Sequence, residues 1–251
     1  MQHLTVLTGA SRGMGLAIAQ QLCAADALVL CISRGTSQAL DGLARERGAT
    51  LTQWPADLAD PAPVAARLRD WLEEIDARQV TSASLINNAG VVGSAGPLDK
   101  CDAATIAMAL RVDLEAPMQL TAAFLAATAH WKLARKVLNV SSGLGRRPMA
   151  GAALYCAAKS GMDQFSRCVA LEQDGQPNAA RIVSLAPGII DTDMQTELRA
   201  GDPVLFPERA AFVQMKESGS LSTPADAARR LLAYLARADF GAKPVADVRD
   251  A

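Results

Sequence analysis

Aromatic residues are scarce. Three Trp, two Tyr and five Phe make up only 4% of 251 residues, although half of the chain is hydrophobic. A core with so few rings must be built from Ala, Leu, Val and Ile, which suits a parallel sheet buried by helices on both faces. Histidine is scarcer still. His3 and His130 are far apart in sequence and matched to no nucleophile, which argues against hydrolase triads and His-based metal sites. The cysteines (Cys23, Cys31, Cys101, Cys156 and Cys168) are odd in number and lack C-x-x-C spacing. Neither a disulfide framework nor a zinc site is expected, no metal is assigned, and a cytoplasmic location is expected. No excess of one charge exists either: 25 Lys and Arg face 26 Asp and Glu, a net charge of −1. Basic clusters reach only the pairs Arg146-Arg147 and Arg229-Arg230, so no nucleic-acid partner is expected. No apolar run is long enough for a bilayer span, so no membrane partner is expected. Met1 to Leu7 lacks the basic start and long apolar stretch of a signal peptide.

What the chain does have is rhythm. Residues 4–8, 27–33, 50–54, 83–87, 136–140 and 181–186 read as strands. Between them residues 13–24, 38–47, 61–77, 103–129, 154–172 and 225–237 are Ala/Leu-rich and read as helices. Such alternation implies right-handed βαβ units and a doubly wound, Rossmann-type α/β fold with a parallel sheet of about seven strands. No linker or repeat divides 1–251, so one domain is expected. Residues 191–220 break the rhythm with Gly201, Asp202-Pro203, Pro207 and Gly219, and are expected to form a substrate lid. Met194, Leu205, Phe206, Phe212 and Met215 would be its apolar face, some of them as core residues.

Thr8-Gly9-Ala10-Ser11-Arg12-Gly13-Met14-Gly15 follows the first strand and opens the first helix. Glycines at 9, 13 and 15 permit a tight turn and close approach of a pyrophosphate to the helix N-terminus. The spacing is G-x-x-x-G-x-G, and its position between strand and helix is what gives it weight. An NAD site usually carries an acidic residue at the end of the second strand. Here the chain reads Cys31-Ile32-Ser33-Arg34-Gly35. Ser33, Arg34 and Arg12 suit a 2′-phosphate, because Arg offers a planar fork of donors. The expected cofactor is NADP(H).

With Asn87-Asn88-Ala89-Gly90, Ser142, Tyr155-Cys156-Ala157-Ala158-Lys159 and Pro187-Gly188-Ile189-Ile190-Asp191-Thr192 added, the whole chain resembles the short-chain dehydrogenase/reductase family. Its C-terminal half resembles the sepiapterin and bacterial benzil-type reductase subgroup, through Ala153-Leu154-Tyr155-Cys156-Ala157, Leu171-Glu172 and Ala186 to Gln195. The resemblance implies that Ser142, Tyr155 and Lys159 are catalytic. It implies cofactor contacts by Gly9, Ser11, Arg12, Gly13, Met14, Gly15, Ser33, Arg34, Asp57, Leu58, Asn88, Ala89, Gly90, Tyr155, Lys159, Pro187, Gly188, Ile190 and Thr192. Substrate contacts would come from Ser142, Met194 and Asp247, the last as a pterin anchor. One position departs from the pattern: Asp113 stands where the family usually has a catalytic asparagine. A backbone role there would survive the change, and a side-chain amide role would not.

Reduction of a carbonyl needs a hydride donor on one face and a proton donor at oxygen. Tyr155 has an intrinsic pKa near 10. Lys159, one helical turn on, shares its face and, with the positive nicotinamide of the oxidised complex, is expected to bring that value down. Ser142 would donate a hydrogen bond to the oxygen as charge develops. Singly these residues are an ordinary packed aromatic, a solvated lysine and a turn serine; the combination carries the reading. An NADPH-dependent carbonyl reductase acting on a small ketone or vicinal dicarbonyl is expected. The alternatives are a 3-oxoacyl reductase or secondary-alcohol dehydrogenase, and a catalytically silent NADP(H) sensor. The Ala-rich stretches 103–129 and 154–172 have more apolar surface than one buried face needs. The family resemblance turns that excess into a homodimer or homotetramer.

Overall fold

The computed structural model describes residues 1–250. Seven parallel strands form one sheet in the order β3-β2-β1-β4-β5-β6-β7. They are β1 (Gln2–Thr8), β2 (Ala27–Ser33), β3 (Thr50–Pro55), β4 (Val80–Asn87), β5 (Ala134–Val140), β6 (Arg181–Ala186) and β7 (Val245–Asp247). The helices are α1 (Gly13–Leu22), α2 (Gln38–Arg47), α3 (Pro61–Glu73), α4 (Ala103–Leu110), α5 (Ala116–Ala127), α6 (Ala153–Gln173), α7 (Asp193–Ala200), α8 (Arg209–Glu217) and α9 (Pro224–Ala236).

Period-two alternation sorts each strand between two cores. In β2, Val29 and Cys31 pack with Ile18 of α1, Leu40 of α2 and Leu231 of α9. Leu28, Leu30 and Ile32 turn the other way, toward Leu68 of α3 and Leu120 and Phe124 of α5. Every residue of β2 is buried, which explains why it reads as a continuous apolar run. The order reverses between β1 and β4, and a crevice at the carboxyl ends of their strands is the expected place for a ligand.

Two helix expectations need correction. Residues 61–77 do not form one helix: α3 ends at Glu73 and a separate 3₁₀ turn covers Ala77–Gln79. Nor is 103–129 continuous, because a π turn, Arg111–Glu115, separates α4 from α5. Pro117 gives the physical reason. It has no N–H for the carbonyl four residues back, and its ring crowds that carbonyl, which belongs to Asp113. The N–H of Ala116 instead bonds to Arg111, five residues back. Residues 191–220, where the rhythm breaks, contain the short helices α7 and α8.

Candidate active site

The carboxyl ends of the central strands open on a cavity of about 660 Å³. The glycine turn forms one wall. A Cβ on Gly15 would stand 2.0 Å from the Gly9 carbonyl oxygen and 2.5 Å from Asn88 Nδ2, so no side chain fits there. Thr8 Oγ1 accepts the backbone N–H groups of Asn88 and Ala89, each at 3.0 Å, and Asn88 Nδ2 donates to the Thr8 carbonyl at 2.9 Å. These bonds tie the turn after β4 to the end of β1. The N-terminus of α1 has no side-chain cap and no acidic residue in its first turn, leaving N–H groups and a positive dipole end for an anion. A dinucleotide pyrophosphate fits that cradle.

All of the residues expected at a cofactor site line this cavity: Gly9, Ser11, Arg12, Gly13, Met14, Gly15, Ser33, Arg34, Asp57, Leu58, Asn88, Ala89, Gly90, Tyr155, Lys159, Pro187, Gly188, Ile190 and Thr192. Ser33 Oγ accepts the Ala10 N–H at 2.8 Å, which leaves its own proton free to donate. Arg34 is exposed. Arg12 is engaged elsewhere, since its guanidinium pairs with Asp193 at the start of α7, at 3.1 Å.

Ser142, Tyr155 and Lys159 line the same cavity. Tyr155 and Lys159 lie one turn apart on α6, with the ammonium 5.4 Å from the Tyr155 ring centre. Lys159 is buried, and its Nζ donates to the Val140 carbonyl at 3.1 Å. Ser142 precedes a 3₁₀ turn, Gly143–Gly145, and accepts the Leu144 N–H at 3.1 Å. The protein's own groups do not by themselves produce the drop in the Tyr155 pKa expected of the oxidised-cofactor complex. Burial of the hydroxyl among protein atoms pushes it above the usual phenol value; Lys159 acts in the opposite sense, Asp113 adds to the rise and Ser142 opposes it. Desolvation of the phenolate exceeds the attraction of one ammonium.

Asp113 is not in the cavity wall but sealed behind it. Its Oδ1 accepts the Val91 N–H at 2.8 Å, and its Oδ2 is buried without a partner. A Cβ on Gly90 would lie 3.2 Å from Asp113 Oδ1 and 3.6 Å from Lys159 Nζ, so the two side chains approach the same backbone atom. Burial pushes the Asp113 carboxyl up and the Lys159 charge pulls it down, burial being the larger cause.

The cavity also has apolar lining, with Met108, Met149 and Leu198 beside the expected Met194, Phe212 and Met215. Leu205 and Phe206 do not reach it. Phe206 is fully buried and stacks on Phe212, ring centres 5.7 Å apart, in a small core with Val92 and Leu198. Phe212 serves both that core and the cavity. Asp247 does reach the wall, but Arg249 holds it: backbone N–H and Nε donate to Oδ1 at 2.9 and 2.8 Å, and Nη2 to Oδ2 at 2.6 Å. Hydrogen bonding from Arg249 holds the Asp247 carboxyl below the usual range. Residues not anticipated from sequence include Arg147, Arg249 and Gln195, whose buried Oε1 has no partner. Only Arg249 carried a sequence signal, a cation two residues from the candidate aspartate.

Residues 3–203 match the family model described as short chain dehydrogenase. The chain belongs to that family. It is 34% identical over 235 residues to a benzil reductase, (S)-benzoin forming, of Bacillus cereus, with 94% of each chain covered. A sepiapterin reductase of Xenopus laevis is 34% identical over 245 residues, covering 92% of this chain and 90% of that one. Among solved structures, a short-chain dehydrogenase/reductase of Burkholderia vietnamiensis superposes with a TM-score of 0.64 at 35% identity over the whole of both chains. The protein is therefore an oxidoreductase acting on carbonyl or alcohol groups with a nicotinamide dinucleotide. Among the described residues, no helix is long and apolar enough to cross a membrane.

Proposed function

We propose that this protein is an NADPH-dependent carbonyl reductase acting on a flat, apolar vicinal dicarbonyl, with Tyr155 as the proton donor. The observation that carries the reading is the shared cavity: Ser142, Tyr155 and Lys159 face the same space as the glycine turn. That juxtaposition also disfavours a catalytically silent sensor, which needs no such set.

NADPH, when bound, supplies the hydride to the carbonyl carbon. Gly9 to Gly15 and the α1 N-terminus hold its pyrophosphate, while Pro187, Gly188, Ile190 and Thr192 flank the nicotinamide end. The Tyr155 hydroxyl gives its proton to the substrate oxygen, and Ser142 donates a hydrogen bond to that oxygen as charge builds. Lys159, beside the Tyr155 ring, stabilises the tyrosinate that remains until it recovers a proton from solvent. The upward pull of burial on Tyr155 suits this direction, because reduction needs the phenol protonated.

The 2′-phosphate is assigned to Ser33, Arg34 and Arg12. The Arg12–Asp193 pair is exposed, and such pairs contribute only about 0–1 kcal/mol, so a phosphate can take Arg12 from it. Residues 191–220 form a lid over the substrate end. Because Arg249 neutralises Asp247, the substrate wall offers methionines and Phe212 more readily than a free carboxylate. This favours a diketone over a pterin, whose N–H groups would find only one acceptor site of Asp247, on Oδ2, not already taken by Arg249.

A panel of benzil, sepiapterin, a 3-oxoacyl ester and simple aldehydes with NADPH, followed at the reduced nicotinamide band, tests the reading. NADPH should bind at least about tenfold more tightly than NADH, about 1.4 kcal/mol. Arg34→Ala should narrow that gap with little effect on NADH. Equal affinities in the unmodified protein would refute the cofactor assignment.

A further inference from the structure

Asp163 extends the stripe of Tyr155 and Lys159 by one more turn of α6, away from the cavity. It is only 2% exposed, and two of its three hydrogen-bond partners, Ser141 and Arg146, lie within four residues of Ser142. Its Oδ1 accepts Ser141 Oγ at 2.7 Å and Ser184 Oγ at 2.6 Å, and its Oδ2 accepts Arg146 Nε at 3.0 Å. The second arm of Arg146, Nη2, donates to the Ala246 carbonyl in β7 at 3.0 Å, beside Asp247. One buried carboxylate thus joins the residue before Ser142, the residue four after it, β6 and, through Arg146, β7.

The same segment is pressed onto α6 by sterics. A Cβ on Gly145 would lie 2.9 Å from the Lys159 carbonyl oxygen and 3.1 Å from Asp163 Oδ2. Ser160 Oγ donates to the Gly145 carbonyl at 2.8 Å. A turn that accepts no side chain at its closest point has little freedom to slide along the helix. Charge-assisted bonds at both of its ends set where it stops.

We propose that Asp163 and Arg146 are positioning residues, which fix the Ser142 hydroxyl relative to Tyr155 by clamping residues 141–146 to α6. Through Ala246, Arg146 also aligns the substrate wall that carries Asp247. This rests on the reductase reading for what Ser142 does. A purely structural ion pair would stabilise the fold without acting through Ser142, and the two roles separate in a double-mutant cycle.

The experiment compares the unmodified enzyme with Ser142→Ala, Arg146→Ala and the double variant, using benzil, NADPH and the folded fraction of each. Arg146→Ala should lower kcat by about ten- to a hundredfold, the range expected when a reacting group is displaced by about 1 Å, with NADPH affinity unchanged. In the Ser142→Ala background the same change should cost less than about twofold. Arg146→Lys, which keeps a cation opposite Asp163, should recover part of the loss. Equal factors in both backgrounds would overturn the proposal, as would a fall in folded fraction with kcat per folded enzyme unchanged. Amide exchange across 143–147, measured without substrate, keeps the test independent of the reductase reading. Arg146→Ala should speed it at least about tenfold while β5 is unaffected, and unchanged exchange would overturn the clamp even if benzil proved not to be a substrate.

Discussion

Tyr155 shows how spacing can pick out a candidate whose chemistry depends on the fold. A Y-x-x-x-K pair places the lysine on the same helical face, and that much is local. The phenol pKa depends on what surrounds the hydroxyl, and burial there outweighs Lys159 and Ser142. On the proposed mechanism the sign follows directly. Reduction needs the protonated phenol, so activity is present below the Tyr155 pKa and is lost as pH rises through it. Because that value is raised, kcat/KM for reduction should stay level through neutral pH and decline only at strongly alkaline pH. A pH profile measures this; an alkaline limb near pH 7 would mean that the lysine dominates after all. Contacts between distant positions escaped the sequence for a related reason. Arg12 meets Asp193 from 181 residues away, and no local pattern announces it.

At the scale of elements, the alternation of strands and helices was legible because period-two and helical patterns are properties of short windows. The π turn at Arg111–Glu115 was not, since Ala-rich composition is compatible with both helix types. Its one signal was Pro117, which removes a donor from the ladder. The turn places Asp113 inside the protein beside Gly90 and Lys159. Burial raises the carboxyl pKa, so the folded protein holds this proton more tightly than the unfolded chain does. Its stabilising contribution is therefore present in acid and is lost as pH rises through the raised value. Asp113→Asn removes that titration. Relative to the unmodified protein, its Tm should be higher at neutral pH, with the difference shrinking toward acid. Thermal melts across the range check this, and a pH-independent difference would refute it.

For the whole molecule, the parallel sheet follows from the repeated units, while the arrangement of residues 191–220 depends on packing between segments far apart. Phe206 was readable as apolar, yet only the fold shows that it fills a small core with Val92 and Leu198 while Phe212 is shared between that core and the cavity. Assembly belongs to this scale too. Met118 on α5 is 41% exposed and Leu171 on α6 is 77% exposed, apolar surface that a partner copy would cover. We propose a self-complementary contact through these helices, which would give a dimer or tetramer. Light scattering at micromolar concentration should show no monomer; a monomer alone would count against the assembly.

The central claim is that Tyr155 donates the proton in an NADPH-dependent reduction. It is tested most directly by mixing benzil and NADPH with the unmodified protein and with Tyr155→Phe, and following the reduced nicotinamide band. The unmodified protein should consume NADPH. The variant should bind NADPH with similar affinity and turn over about 10²- to 10⁴-fold more slowly, the usual contribution of a general acid. A Tyr155→Phe enzyme with near-normal turnover would contradict the account.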